Sequence, residues 1–151
     1  HGHERVVDLL MRHGAEVDKK TSNGGTALTF AAQYGHAARY GHERVVDLLI
    51  RHGAEVNLQR SDGGNSLIIA AVGGHERVVE LLLRRGAKVN LRDSDGGIAL
   101  MFAARNGCER VVDLLIRHGA EVDLQESGGY TALMYAAFYG HERLVELLLR
   151  H

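Results

Sequence analysis

The sequence predicts an all-α protein built by stacking repeated units, and three observations carry that expectation. The phrase Gly-His-Glu-Arg opens at Gly2, Gly41, Gly74 and Gly140, and Gly107 opens a variant with Cys108 in place of the His. These openings are 39, 33, 33 and 33 residues apart, so one interval carries six extra residues. A fixed period in this range marks a stack in which each unit touches only its neighbours and length is added without a central core. Finally, 45% hydrophobic and 25% charged residues over 151 positions describe a packed chain rather than a disordered one.

Each unit reads in the same order. Glu4 to Arg12 forms the first helical stretch, and in the full copy Val45, Val46, Leu48, Leu49 and Ile50 cover more than one narrow stripe, as in a helix packed on several sides. On that pattern Leu48 is a buried core position, where truncation to Ala would cost about 2–5 kcal/mol. Acidic residues such as Glu43 open these helices and basic ones such as Arg51 close them, each with the sign that the helix dipole favours. Asp47 and Arg51, Glu80 and Arg84, Asp113 and Arg117, and Glu146 and Arg150 stand four apart on the outer face as ion pairs. Gly53, Gly86 and Gly119 follow where a left-handed cap ends a helix.

A polar bridge comes next, ending in Gly24-Gly25, Gly63-Gly64, Gly96-Gly97 and Gly128-Gly129. Glycine permits a tight turn with positive φ, so these bridges are expected to be hairpin-like loops projecting from the helices. None is followed by the Gly-Lys-Ser/Thr of a phosphate-binding loop. A shorter helix follows each bridge, around Ala31-Ala32, Ala70-Ala71, Ala103-Ala104 and Ala136-Ala137, where small side chains let helices approach closely. Thr26, Asn65 and Thr131 are good N-caps; Ile98 is not, an expected cost of about 1 kcal/mol.

The order of turn, Thr-x-Leu, Ala-Ala, Gly-His, Val-Val-x-Leu-Leu, Gly-Ala and Val-Asn resembles the ankyrin repeat over essentially the whole chain. The resemblance implies an ankyrin-repeat solenoid of stacked antiparallel helix pairs with projecting β-hairpin-like loops, acting as a non-catalytic protein-binding module. The expected layout is a half unit at 1–17 and repeats at about 18–56, 57–89, 90–122 and 123–151. Beginning at His1 without an initiator Met, the chain reads as an excerpt lacking capping units. One departure is systematic. Where the family writes Thr-Pro-Leu-His, this chain has Thr26-Ala27-Leu28-Thr29, Asn65-Ser66-Leu67-Ile68, Ile98-Ala99-Leu100-Met101 and Thr131-Ala132-Leu133-Met134, and it contains no Pro. Ile68, Met101 and Met134 are expected to replace the lost hydrogen bonding with apolar packing. The other departure is the six-residue insertion near 35–40, which extends the preceding short helix to about Tyr40. A tolerated surface duplication is favoured over a ligand-specific protrusion, because insertions at surface junctions cost little.

Several function classes are excluded as expectations. A net charge of −1 leaves no basic excess for a phosphate backbone, so nucleic acid is not the expected partner. No apolar run is long enough to insert in a membrane and no signal-peptide pattern opens the chain. With a single cysteine, the expected setting is intracellular and cytoplasmic. His3, His42, His75 and His141 repeat one slot and His13, His52, His118 and His151 another; slots a whole repeat apart are too distant to share a metal, so no metal or cofactor is expected. Cys108 stands near a helix N-terminus, which lowers a thiol pKa, but no His is close in sequence to make a dyad. No catalytic residue is assigned.

Binding is expected where the copies disagree, since a slot that varies within one chain is not required for stacking. In the loops these slots hold Lys20, Asn23, Gln59, Asp62, Arg92, Asp95, Gln125 and Tyr130. At the ends of the short helices they hold Gln33, Tyr34, Arg105, Asn106, Phe138 and Tyr139. The family resemblance places both sets on a concave surface that meets a protein or peptide, and the last unit is the strongest candidate because it combines three aromatics. The alternative is a structural module that associates head to tail through uncapped repeat ends.

Overall fold

The structure, a computed structural model, describes residues 4–34 and 42–151. Among these residues the chain forms nine α-helices and no strand: α1 (Glu4–Arg12), α2 (Ala27–Gln33), α3 (His42–Arg51), α4 (Ser66–Val72), α5 (Glu76–Arg84), α6 (Ala99–Arg105), α7 (Glu109–Arg117), α8 (Ala132–Phe138) and α9 (Glu142–Leu148). The short helices α2, α4, α6 and α8 pack side by side in one layer. Helices α1, α3, α5, α7 and α9 form a second layer, and each short helix also packs on the long helix that follows it. The predicted extension of α2 to Tyr40 falls on residues 35–41, outside those described.

The core is the seam between the layers, where Leu28, Leu67, Leu100 and Val46, Val79, Val112 are essentially excluded from solvent. Leu49 is 1% exposed, whereas Leu48 is only half-buried, beside Leu81 in an outer groove. The expectation that Leu48 is a core position therefore fails. Val45 and Leu49 are one turn apart and share the inward face, and Leu48 is rotated about 100° from Leu49.

Glycine ends the long helices as the sequence predicts. Gly53 has φ +92°; its N–H donates to the Ile50 carbonyl (3.0 Å), and the Ala54 N–H donates to Leu49 (3.0 Å). Those two bonds define a Schellman cap, and Ala54, Ala87 and Ala120 after the glycines pack against the core. Gly74, Gly107 and Gly140 close the short helices in the same way, with φ of +67°, +72° and +74°. In the loops only the first glycine of Gly24-Gly25, Gly63-Gly64 and Gly96-Gly97 has positive φ. In the last loop that residue is Gly129 rather than Gly128, so Tyr130 occupies the second glycine's place. The pair is needed at only one of its positions.

Short-helix starts follow the capping expectation. The hydroxyls of Thr26 and Thr131 and the Asn65 side-chain oxygen accept from the N–H groups of Thr29, Met134 and Ile68, and Ile98 makes no cap bond. Ile98 is instead 0% exposed, and burying a side chain of that size, worth roughly 1.5–3 kcal/mol, outweighs a lost cap. Thr29 restores hydrogen bonding at the position of the missing His: its hydroxyl accepts from the Thr26 N–H and donates to the Thr26 carbonyl, both at 2.8 Å. Ile68 and Met101 are buried, as expected of apolar replacements. Met134 is 49% exposed, because α8 has a helix pair on one side only.

Outer-face pairs form at Asp47–Arg51 (2.8 Å), Glu80–Arg84 (2.5 Å) and Asp113–Arg117 (2.7 Å). Glu146 and Arg150 form no such pair: α9 ends at Leu148, and Arg150 leaves the helical register. A second ladder runs between units, from Arg44 to Glu4, Arg77 to Glu43, Arg110 to Glu76 and Arg143 to Glu109, at 3.3–4.0 Å. Exposed pairs of this kind contribute well under about 1 kcal/mol each, so burial carries the fold.

Candidate functional site

The loops form a continuous rim alongside the short helices. Within each, the chain closes a tight turn, as in the Gly63 N–H bond to the Arg60 carbonyl (3.0 Å) and the Arg60 N–H bond to Gly64 (2.8 Å). Between loops, the N–H groups of Ser61, Ser94 and Ser127 donate to the carbonyls of Asn23, Asp62 and Asp95 at 2.7–3.1 Å. Asn57 and Asn90 tie each unit to the next, accepting from the N–H groups of Lys88 and Glu121 and donating to the Gly86 and Gly119 carbonyls. The rim is thereby a pre-ordered platform.

Gln59 and Arg92 belong to this stitching, so the premise that varied slots are dispensable for stacking fails for these two, while Gln125, Asp62 and Asn23 bond within their own loops. The Gln59 amide donates to the carbonyls of Gly63 (2.7 Å) and Arg92 (2.8 Å). The Arg92 guanidinium reaches the Gln125 carbonyl (3.0 Å), and the Gln125 amide reaches Gly129 (3.1 Å). Asp62 accepts from the Gly64 N–H and pairs with Arg60 at 3.1 Å, while Asn23 accepts from the Thr21 hydroxyl. Lys20, Gln33, Tyr34 and Asp95 are exposed, and the side chain of Asp95 makes no hydrogen bond.

Asn106 has a more specific role. His75 Nε2 donates to the Gln33 carbonyl at the end of α2, and His141 Nε2 donates to the Arg105 carbonyl at the end of α6, both at 3.0 Å. Cys108 occupies the equivalent slot before α7 and cannot reach the Val72 carbonyl at the end of α4 as a ring would. The Asn106 amide takes that carbonyl instead, at 2.8 Å. Cys108 is half-buried, and burial, followed by the negative charge of Glu76, pushes its thiol pKa up. The lowering expected from a helix N-terminus is overridden, and the thiol stays protonated. Among the described residues, no group of three or more His, Cys, Asp or Glu is placed to hold a metal ion. No described helix is long and apolar enough to cross a membrane.

The last helix pair brings most of the predicted aromatics together. Tyr130 stacks on Tyr135 with ring centroids 5.4 Å apart, Phe138 meets Tyr139 edge-on at 5.1 Å, and Arg105 lies 5.7 Å from the Tyr139 ring centroid. Phe138 is 75% exposed, and Tyr130, Met134 and Tyr139 are each close to half exposed. Beside this group a cleft of about 150 Å³ opens between the third and fourth loops and their helices, walled by Asp93, Asp95, Phe102, Arg105, Glu126 and Tyr135. Glu126 accepts from the Gly128 N–H (2.9 Å) and the Tyr130 N–H (3.1 Å), and these two bonds hold its carboxyl below the ordinary range and ionised. Burial and the Glu126 charge push the Tyr135 hydroxyl up, so it remains neutral. Phe102, Tyr135, Asp93 and Glu126 were not among the sequence candidates. The signal was present in the 33-residue register, which places Asp93 over Glu126 and Phe102 over Tyr135.

A family model described as ankyrin repeats matches the chain in three overlapping copies, over residues 1–93, 36–126 and 88–151. No individual curated protein matches the chain in sequence. Ankyrin repeats are generally protein–protein interaction modules. The matches run from residue 1 to residue 151, over the stacked helix pairs and stitched loops described above: the chain belongs to the ankyrin-repeat family.

Proposed function

We propose that the chain is a non-catalytic scaffold that binds a partner protein or peptide through the concave face made by its loop tips and short helices. The observation that carries this reading is the exposed cluster of Tyr130, Phe138 and Tyr139 beside Arg105. Tyr and Arg are the side chains most often responsible for interface hot spots, and a platform already ordered by inter-loop hydrogen bonds loses little entropy on binding. Of the candidates, Lys20, Gln33, Tyr34, Asp95 and Arg105 complete the accessible set, and Asn23, Asp62, Gln59, Arg92, Gln125 and Asn106 shape it through their hydrogen bonds. The test compares proteins captured by the chain with those captured by a Tyr130→Ala, Phe138→Ala, Tyr139→Ala variant of unchanged helicity. Loss of a defined partner is expected; an identical captured set overturns the reading.

Head-to-tail self-association is the second reading. Val6, Leu9 and Leu10 on α1 and Met134, Phe138 and Leu149 on α8 and beyond α9 are large exposed apolar side chains at opposite ends of the stack. Mass in solution measured against concentration decides it: a monomer far above micromolar concentration removes self-assembly.

A further inference from the structure

The cleft between the third and fourth loops differs in charge from its counterparts along the same rim. At the α2–α4 junction the equivalent positions are Thr21, Asn23, Phe30 and Gln33, facing Arg60 and Ile69. At the α4–α6 junction they are Arg60, Asp62, Ile69 and Val72, facing Asp93 and Phe102, and Arg60 neutralises Asp62 at 3.1 Å. At the α6–α8 junction the acidic groups Asp93, Asp95 and Glu126 share one cleft, and none of them forms an ion pair. The cation on its wall, Arg105, is turned over the Tyr139 ring. The backbone donors to Asp93, from the N–H groups of Asp95 (3.0 Å) and Gly97 (2.7 Å), both go to Oδ1, so Oδ2 is not used.

Resting on the scaffold reading above, we propose that this cleft receives a single arginine or lysine side chain of a peptide segment in the partner. Three features fit that occupant. The uncompensated carboxylates attract a cation in a half-enclosed setting where charge is screened less than in bulk water. Phe102 and Tyr135, with Tyr130 stacked behind, offer aromatic walls to the charged head and to the apolar stem of a long basic side chain. At about 150 Å³ the cleft suits one side chain rather than a drug-sized molecule, whose pockets run to roughly 300–1,000 Å³.

The experiment selects displayed random dodecapeptides on the full chain and titrates a selected peptide by fluorescence polarisation. A shared Arg or Lys is expected at one position. Replacing it by citrulline or norleucine should weaken binding about tenfold, as should Asp95→Asn in the protein, with an unchanged melt. Asp95 suits this test because its side chain makes no hydrogen bond in the fold; Glu126→Gln, which keeps an acceptor for one of the two loop N–H groups, is the second variant and is read against its own melt. Equal affinity for the neutral peptides, or indifference to both substitutions, overturns the cleft proposal. Binders without a shared basic residue, lost in Tyr139→Ala, overturn it while leaving the scaffold reading intact. A selection without binders also overturns it, and partner capture then decides the scaffold reading separately.

Discussion

The α4–α6 and α6–α8 junctions are built on the same backbone and differ in what lines their rims. Both have a positive-φ glycine in each loop, a serine N–H bonded across to the preceding loop and an Ala-Ala pair between the short helices. At the first, Arg60 and Asp62 pair beside aliphatic Ile69 and Val72. At the second, unpaired carboxylates stand beside aromatic rings. The contrast teaches that this architecture separates stability from recognition: the seam of leucines and valines holds the stack whichever side chains line the rim.

That separation can be broken most severely at the shared seam. Leu115→Ala, at a position with 0% exposure, is expected to cost about 3–5 kcal/mol in chemical denaturation and to loosen both junctions together. Gly63→Ala comes next. A Cβ there would sit 2.4 Å from the Ser94 N, in addition to about 1–2 kcal/mol for the left-handed φ of +76°, whereas Gly129→Ala meets nothing within 4 Å and should cost the φ term alone. Thermal melts of the two variants should therefore differ clearly, and equal losses would show that the loops do not hold the junctions closed. Ile98→Thr exchanges a buried side chain for a cap and should lose roughly 1 kcal/mol net; a gain would mean that the cap outweighs the burial.

Smaller effects refine the contrast. Asn106→Ala leaves the Val72 carbonyl without its donor and should cost about 1 kcal/mol. Adding Cys108→His to that variant should recover most of the loss, as the ring donor does at His75 and His141; no recovery would show that the slots are not equivalent. Tyr139→Ala should move stability by no more than about 0.5 kcal/mol while weakening partner binding, and a large loss in its melt would place Tyr139 in the frame rather than on the recognition surface.

The sequence by itself determined the repeat, the helix order, the Schellman glycines, the three working N-caps and the unpaired start at Ile98. These follow from local chemistry: a cap, a positive φ or an i,i+4 pair involves residues within one or two turns, so the string of letters contains both partners. Tertiary structure alone decided the rest, because its partners stand a whole repeat apart. Leu48 and Leu49 are equally apolar in the sequence, and only the direction of α3 against its neighbours buries one fully and the other in part. Asn106 reads as a free variable position until it is seen to reach Val72 in place of a histidine. The acidic cleft is assembled from Asp93, Asp95 and Glu126 on two successive loops: the 33-residue register aligns Asp93 with Glu126, and only the stacking of the loops makes one cleft of them.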